Sequence, residues 1–185
     1  MVTSLLSDAE VRMQKAVEAF KRDMNSIRTG RASPALLENL PIDYHGIPTP
    51  LKQLASISTP EVRLLVIQPW DRQAVSAIER GILKSGLGLN PITEGAVIRV
   101  PVPQPTEERR RELVKTLKRQ GEEAHVAVRN IRRDVLEKVR AMERNKEMSQ
   151  DDARRYQEQL QKRTDAFTDQ IDSLAEVKEA EVMEV

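Results

Sequence analysis

The stretch TEERRRELVKTLKRQGEEAHVAVRNIRRDVLEKVRAM, residues 106–142, decides the fold. Its apolar residues Leu113, Leu117, Ala124, Val128, Ile131, Val135, Val139 and Met142 recur at coiled-coil spacing. Thr106 is a suitable N-cap behind Pro105, and Glu107 and Glu108 put negative charge where the helix dipole favours it. No proline interrupts the stretch, and Gly121 is its single glycine. This predicts one long helix that is apolar along one stripe. Such a helix cannot bury its stripe alone, so it needs neighbours of the same kind.

The flanks supply them. Before it, Leu6, Met13, Phe20 and Ile27 recur every seven residues, with Ala9, Ala16 and Met24 near the intermediate positions. Ser7 followed by Glu10 fits a capping box, and Thr29-Gly30 followed by Pro34 forms a stop. After it, Asn145 lies in a polar break, and Ser149 with Asp152 starts a third helix along Ala153, Tyr156, Leu160, Phe167, Ile171 and Leu174. Three one-striped helices are satisfied by packing on one another. At 1.5 Å per residue the longest spans roughly 55 Å, so the bundle is expected to be an elongated rod.

The first helix is separated from the other two by a segment of different composition. Between Gly30 and Pro105 lie all ten prolines and every glycine but Gly121. Its short β-branched runs predict strands at Ile42–Tyr44, Leu51–Ile57, Arg63–Ile67 and Ala96–Val100, with turns at His45-Gly46, Pro48-Thr49-Pro50 and Thr59-Pro60. Asp71 can cap a helix through Val75, Ile78 and Ile82 that Ser85-Gly86 ends. The fold class is α+β: a three-helix bundle over 1–30 and 106–185, with a small β-rich α/β domain inserted over 31–105. Two proline-stiffened links, 31–34 and 101–105, join them. Ala32, Ser33, Pro34, Pro103, Gln104 and Pro105 are the candidate hinge, a rigid junction being the alternative.

Little in the chain suits bond chemistry. There is no cysteine, hence neither a disulfide framework nor a thiol nucleophile, in keeping with a reducing cytoplasm. His45 and His125 fall in different domains without ligand-spaced neighbours, so each reads as a surface or structural residue and no metal or cofactor is expected. Gly86-Leu87-Gly88-Leu89-Asn90-Pro91 lacks the Gly-Lys-Ser/Thr of a phosphate loop and reads as a helix stop and turn. A charged leader with an apolar stretch is missing, and the longest aliphatic run is Leu64–Ile67. The expectation is a cytoplasmic monomer, without a membrane role, that acts by binding.

Charge says what it binds. Residues 105–140 carry eleven basic and seven acidic side chains, whereas 141–185 carry seven and twelve. Pairing within the bundle is one account of that polarity. On a wheel of about 100° per residue, however, Arg110, Arg111, Lys115, Lys118, Arg129, Arg132, Arg133 and Arg140 share an arc of roughly 140°, with His125 and the acids Glu107 and Glu122. The arc lies beside the apolar stripe, so a bundle would present it to solvent. No aromatic residue interleaves with these arginines, which disfavours stacking on single strands. Guanidinium forks suit the phosphates of folded RNA.

Six segments then resemble the ribosome recycling factor family across essentially the whole chain: IRTGRASP at 27–34, PTPL at 48–51, GLGLNP at 86–91, IRVP at 98–101, TEERR at 106–110 and VRNIRRD at 128–134. The resemblance implies a three-helix bundle hinged to the smaller domain in a two-domain L shape. It implies binding to the bacterial ribosome after termination and, with elongation factor G and its GTP hydrolysis, separation of the subunits so that mRNA and deacylated tRNA leave. No bond chemistry falls to the factor itself. Carried over by position, Arg110, Arg129, Arg132 and Arg133 would contact large-subunit ribosomal RNA, with Arg28 and Arg31 as further candidates near the elbow. The small domain would be the part pushed by elongation factor G. Trp70 is expected to be a core or edge aromatic of that domain. The competing reading from the residues is a coiled-coil adaptor that binds a protein through its helices.

Overall fold

Apolar stripes at heptad spacing have become three long helices. The computed structural model describes residues 2–184. The chain divides into two compact units, Met1–Arg28 with Glu107–Val185, and Thr29–Thr106.

In the first unit, α1 (Val2–Asn25), α3 (Glu107–Arg144) and α4 (Gln150–Met183) pack on one another, and α2 belongs to the second unit. Lys118 pairs with Glu179 and His125 with Asp172, so α4 runs antiparallel to α3. The stripe residues Leu6, Met13, Phe20 and Ile27 are all buried, against Leu113, Leu117, Val128 and Val135 of α3 and Leu160, Ile171 and Val182 of α4. Gly121 passes through α3 without breaking it and faces the Phe20 ring, which a Cβ there would meet at an ordinary contact distance of 3.8 Å. Ser149 caps α4 by accepting from the Asp152 N–H at 3.1 Å.

Both ends of α1 depart from expectation. Ser7 and Glu10 form no cap, because the helix already runs from Val2 and Leu5 and Leu6 continue the apolar stripe toward the N-terminus. A capping signal yields where core contacts extend the helix beyond it. At the other end α1 stops at Asn25, four residues short of Thr29. The Ser26 and Ile27 N–H groups bond the Asp23 and Met24 carbonyls in a tightened last turn that still buries Ile27.

The second unit holds two antiparallel sheets. A hairpin joins β1 (Pro41–Tyr44) to β2 (Ile47–Pro50), and a four-stranded sheet has the order β3-β4-β6-β5, with β3 Ala55–Glu61, β4 Leu64–Pro69, β5 Ile92–Glu94 and β6 Val97–Pro101. One sheet face packs on α2 (Val75–Lys84), where Leu65, Ile67, Ile98 and Val100 meet Val75, Ile78 and Ile82. Two strands escaped the sequence reading. β2 carries Pro48 and Pro50, tolerable on an edge, and β5 is three exposed residues with no alternation to detect. The expected strand Leu51–Ile57 is instead a 3-10 turn, Leu51–Gln53, followed by β3. The expected turn at Thr59-Pro60 is a bulge within β3, the chain reversing at Val62-Arg63.

Gly30 has φ +80°, and a Cβ there would lie 2.6 Å from Pro105 Cδ. Both facts demand glycine. Gly30→Ala is expected to destabilise this unit by about 1–3 kcal/mol, read as a lowered urea midpoint of Trp70 fluorescence; an unchanged midpoint would contradict this tight fit.

Asp71 ties the hairpin to the 3-10 turn Arg72–Ala74 that leads into α2. Its carboxylate accepts from the Tyr44 hydroxyl at 2.6 Å and from the Gln73 N–H at 2.9 Å. These donors, Tyr44 foremost, hold the Asp71 carboxyl below its usual range, and the same bond pushes the Tyr44 hydroxyl up. A lowered carboxyl stabilises fully above its unfolded pKa of about 4, and the benefit fades as pH falls through the folded value. A raised phenol stabilises fully below about 10 and loses its benefit as pH rises through the folded value. Asp71→Asn should therefore flatten the acid-side decline of the Trp70-monitored midpoint. Superimposable acid limbs for variant and wild type would remove Asp71 from that role.

Candidate nucleic-acid interface

The basic arc of α3 is unevenly committed. In the half that begins at Glu107, Arg109 pairs with Glu112 at 2.8 Å and Arg111 with Glu107, while Lys118 reaches Glu179 and His125 meets Asp172 at 2.7 Å. Arg129 pairs with Glu122. From there on, Arg132, Arg133, Lys138, Arg140 and Arg144 have no carboxylate partner among the described residues. Among the described residues α4 reaches the charges of α3 in its first half, through Glu179 and Asp172; Lys115 and Arg119 of that half are unpaired too, but unpaired arginines are densest in the later half.

Asp134, the one carboxylate within 128–134, is drawn off by Arg12 of α1 at 3.0 Å. Arg133 is exposed and Arg132 half-buried beside the core residues Ile131 and Val135. The rigid helix fixes where these side chains start, and their guanidinium groups reach solvent from it. The site is therefore a cationic strip.

Not every expected residue lies on that strip. Arg110 is 8% exposed and its Nε has no acceptor, so it is a buried residue rather than part of the solvent-facing arc. In the first turn the basic arc meets the apolar stripe, and the wheel could not tell which side of that border Arg110 takes. Arg28 is exposed in the first unit and Arg31 in the second. His125 is structural, joining α3 to α4.

The candidate hinge residues are anchored within the second unit. The Ala32 N–H bonds the Val62 carbonyl at 2.7 Å, and the neighbouring Val102 N–H bonds Arg63 at 2.8 Å. Ser33 accepts from the Ala35 N–H to cap the 3-10 turn that begins at Pro34. Pro103 and Gln104 are exposed and Pro105 is half-buried against Gly30. Of the two places expected for Trp70, the core is excluded, since 68% of it is exposed just past the end of β4. Among the described residues there is no cluster of three metal-ligating side chains and no helix long and apolar enough to cross a membrane.

Comparison with known proteins settles the family. The model of the ribosome recycling factor family matches residues 20–183. The chain belongs to the ribosome recycling factor family. Ribosome-recycling factors of Syntrophomonas wolfei and Heliobacterium modesticaldum are 52% and 51% identical over 185 residues, covering all of each chain. A solution structure of the ribosome recycling factor aligns with TM-score 0.74 at 47% identity, covering all of this chain and 98% of that one. A second match, TM-score 0.64 at 40% identity over both full chains, is described as models for the Thermus thermophilus ribosome recycling factor and Escherichia coli elongation factor G bound to the post-termination complex. The matched residues of this recycling-factor chain take in all of α3 and hence the whole uncompensated strip.

Proposed function

We propose that the chain recycles ribosomes: it binds the post-termination ribosome and, with elongation factor G and GTP hydrolysis, promotes separation of the subunits and release of mRNA and deacylated tRNA. It works in the cytoplasm as a binding factor, without bond chemistry of its own. The observation that carries this reading is the strip of unpaired arginines at Arg132 and Arg133 on a helix of a recycling-factor fold. Phosphates of large-subunit ribosomal RNA are its natural counter-charges.

Arg129 joins the strip once Glu122 is displaced, and the exposed Arg28 and Arg31 are secondary contacts. The six residues Ala32, Ser33, Pro34, Pro103, Gln104 and Pro105 serve as the hinge region through which the small domain is moved. A coiled-coil adaptor is disfavoured because the three apolar stripes are spent on one another, leaving no free seam among the described residues. Post-termination ribosomes should split when this protein, elongation factor G and GTP are added together, as followed by light scattering; intact ribosomes under those conditions would refute the proposal.

A further inference from the structure

Past the arginines already considered, the cationic strip runs into a groove. Arg140, Glu143, Arg144 and Gln157 line a space of about 450 Å³ between the end of α3 and the second turn of α4. Four polar side chains converge there, two cationic, one anionic and one amide. None makes a side-chain hydrogen bond or ion pair among the described residues. The nearby arginines of α4 behave differently, Arg154 pairing with Glu158 and Arg155 with Asp152.

Arg140 and Arg144 are one turn apart, where like charges repel. Glu143 is half-buried in the same groove yet compensates neither. Such a set suits a ligand that brings an anion for the arginines and both donors and acceptors for Glu143 and Gln157. A nucleotide does this: its phosphate takes the two guanidinium groups, and its ribose hydroxyl or exocyclic amine donates to the carboxylate. An acidic peptide does not, because Glu143 would face its carboxylates. Arg129, Arg133, Arg140 and Arg144 also share an arc of about 60° and a length of about 22 Å of helix, so the groove continues the strip.

Resting on the recycling reading, we propose that this groove seats one unstacked nucleotide of large-subunit ribosomal RNA, with Arg140 and Arg144 on its phosphate and Glu143 and Gln157 on its sugar or base edge.

The test uses the full chain and purified large subunits, with affinity from co-sedimentation and RNA contacts from 2′-hydroxyl acylation. The double variant Arg140→Ala/Arg144→Ala should bind about tenfold more weakly, with circular dichroism unchanged, and should re-expose one short site while the rest of the footprint persists. Glu143→Ala gives the sharper sign. A carboxylate that accepts from the nucleotide makes this variant bind several-fold more weakly. Tighter binding would mean that Glu143 merely repels a passing backbone, and would overturn the proposal. Unchanged affinity and footprint in the double variant would overturn it too, with Arg132→Ala still impaired. Failure of the wild type to bind large subunits at all would instead fell the recycling reading on which the proposal rests.

Discussion

Replacing Phe20 with alanine is expected to cost the bundle about 3–5 kcal/mol, the range for emptying a filled aromatic site. Phe20 is 2% exposed and sits in a core fed by all three long helices. Its ring reaches toward Gly121, where even an added Cβ would lie only 3.8 Å from Cζ. The cavity left by truncation would be lined by core neighbours such as Val17 and Leu117 on helices of 24 and 38 residues, whose backbones collapse poorly onto a void. Urea unfolding followed by far-UV circular dichroism reads the loss directly. A change below about 1 kcal/mol would mean that the bundle does not depend on this heptad position.

The largest expected effect on binding comes from Arg132→Ala/Arg133→Ala. A charge-assisted hydrogen bond contributes about 1.5–3 kcal/mol, so removing both arginines should weaken large-subunit binding about 100-fold or more. Neither side chain has an ion-pair partner among the described residues, so neither removal strands a carboxylate within the bundle. Stability should therefore stay within about 0.5 kcal/mol of wild type, as is usual for surface positions. Arg129→Ala alone is the instructive contrast, since that arginine is shared with Glu122 and its loss should matter less. Equal affinities for the double variant and wild type, measured by co-sedimentation, would remove Arg132 and Arg133 from the interface.

The bundle was legible because its information is local and repeated. Leu6, Met13, Phe20 and Ile27 declare a buried stripe by their spacing, and Ser149 with Asp152 marks a helix start that the structure realises. Ser7 misled because a cap is a single weak preference, whereas Leu5 and Leu6 extend a stripe that tertiary packing rewards. The small domain was less legible. β2 is half proline and β5 lacks alternation, so their pairing depends on partners distant in sequence rather than on their own residues.

The candidate interface divides the same way. A helical wheel finds the cationic arc, since geometry along one helix is fixed by sequence. It cannot find which charges are spent, because Glu179, Asp172 and Arg12 are supplied by other helices. Nor can it decide the fate of Arg110 at the border of the stripe. Trp70 was left between core and edge for a related reason: it stands just past the end of β4, where strand alternation no longer says which way a side chain faces.

The salt dependence of binding to purified large ribosomal subunits tests the central claim most directly. If the later half of α3 grips RNA phosphates, the logarithm of affinity should fall steeply with the logarithm of salt, by about 0.7–0.9 for each phosphate engaged. Arg132→Ala/Arg133→Ala should lower that slope by one to two such steps. A flat salt dependence, or a slope that the double variant leaves unchanged, would contradict the account.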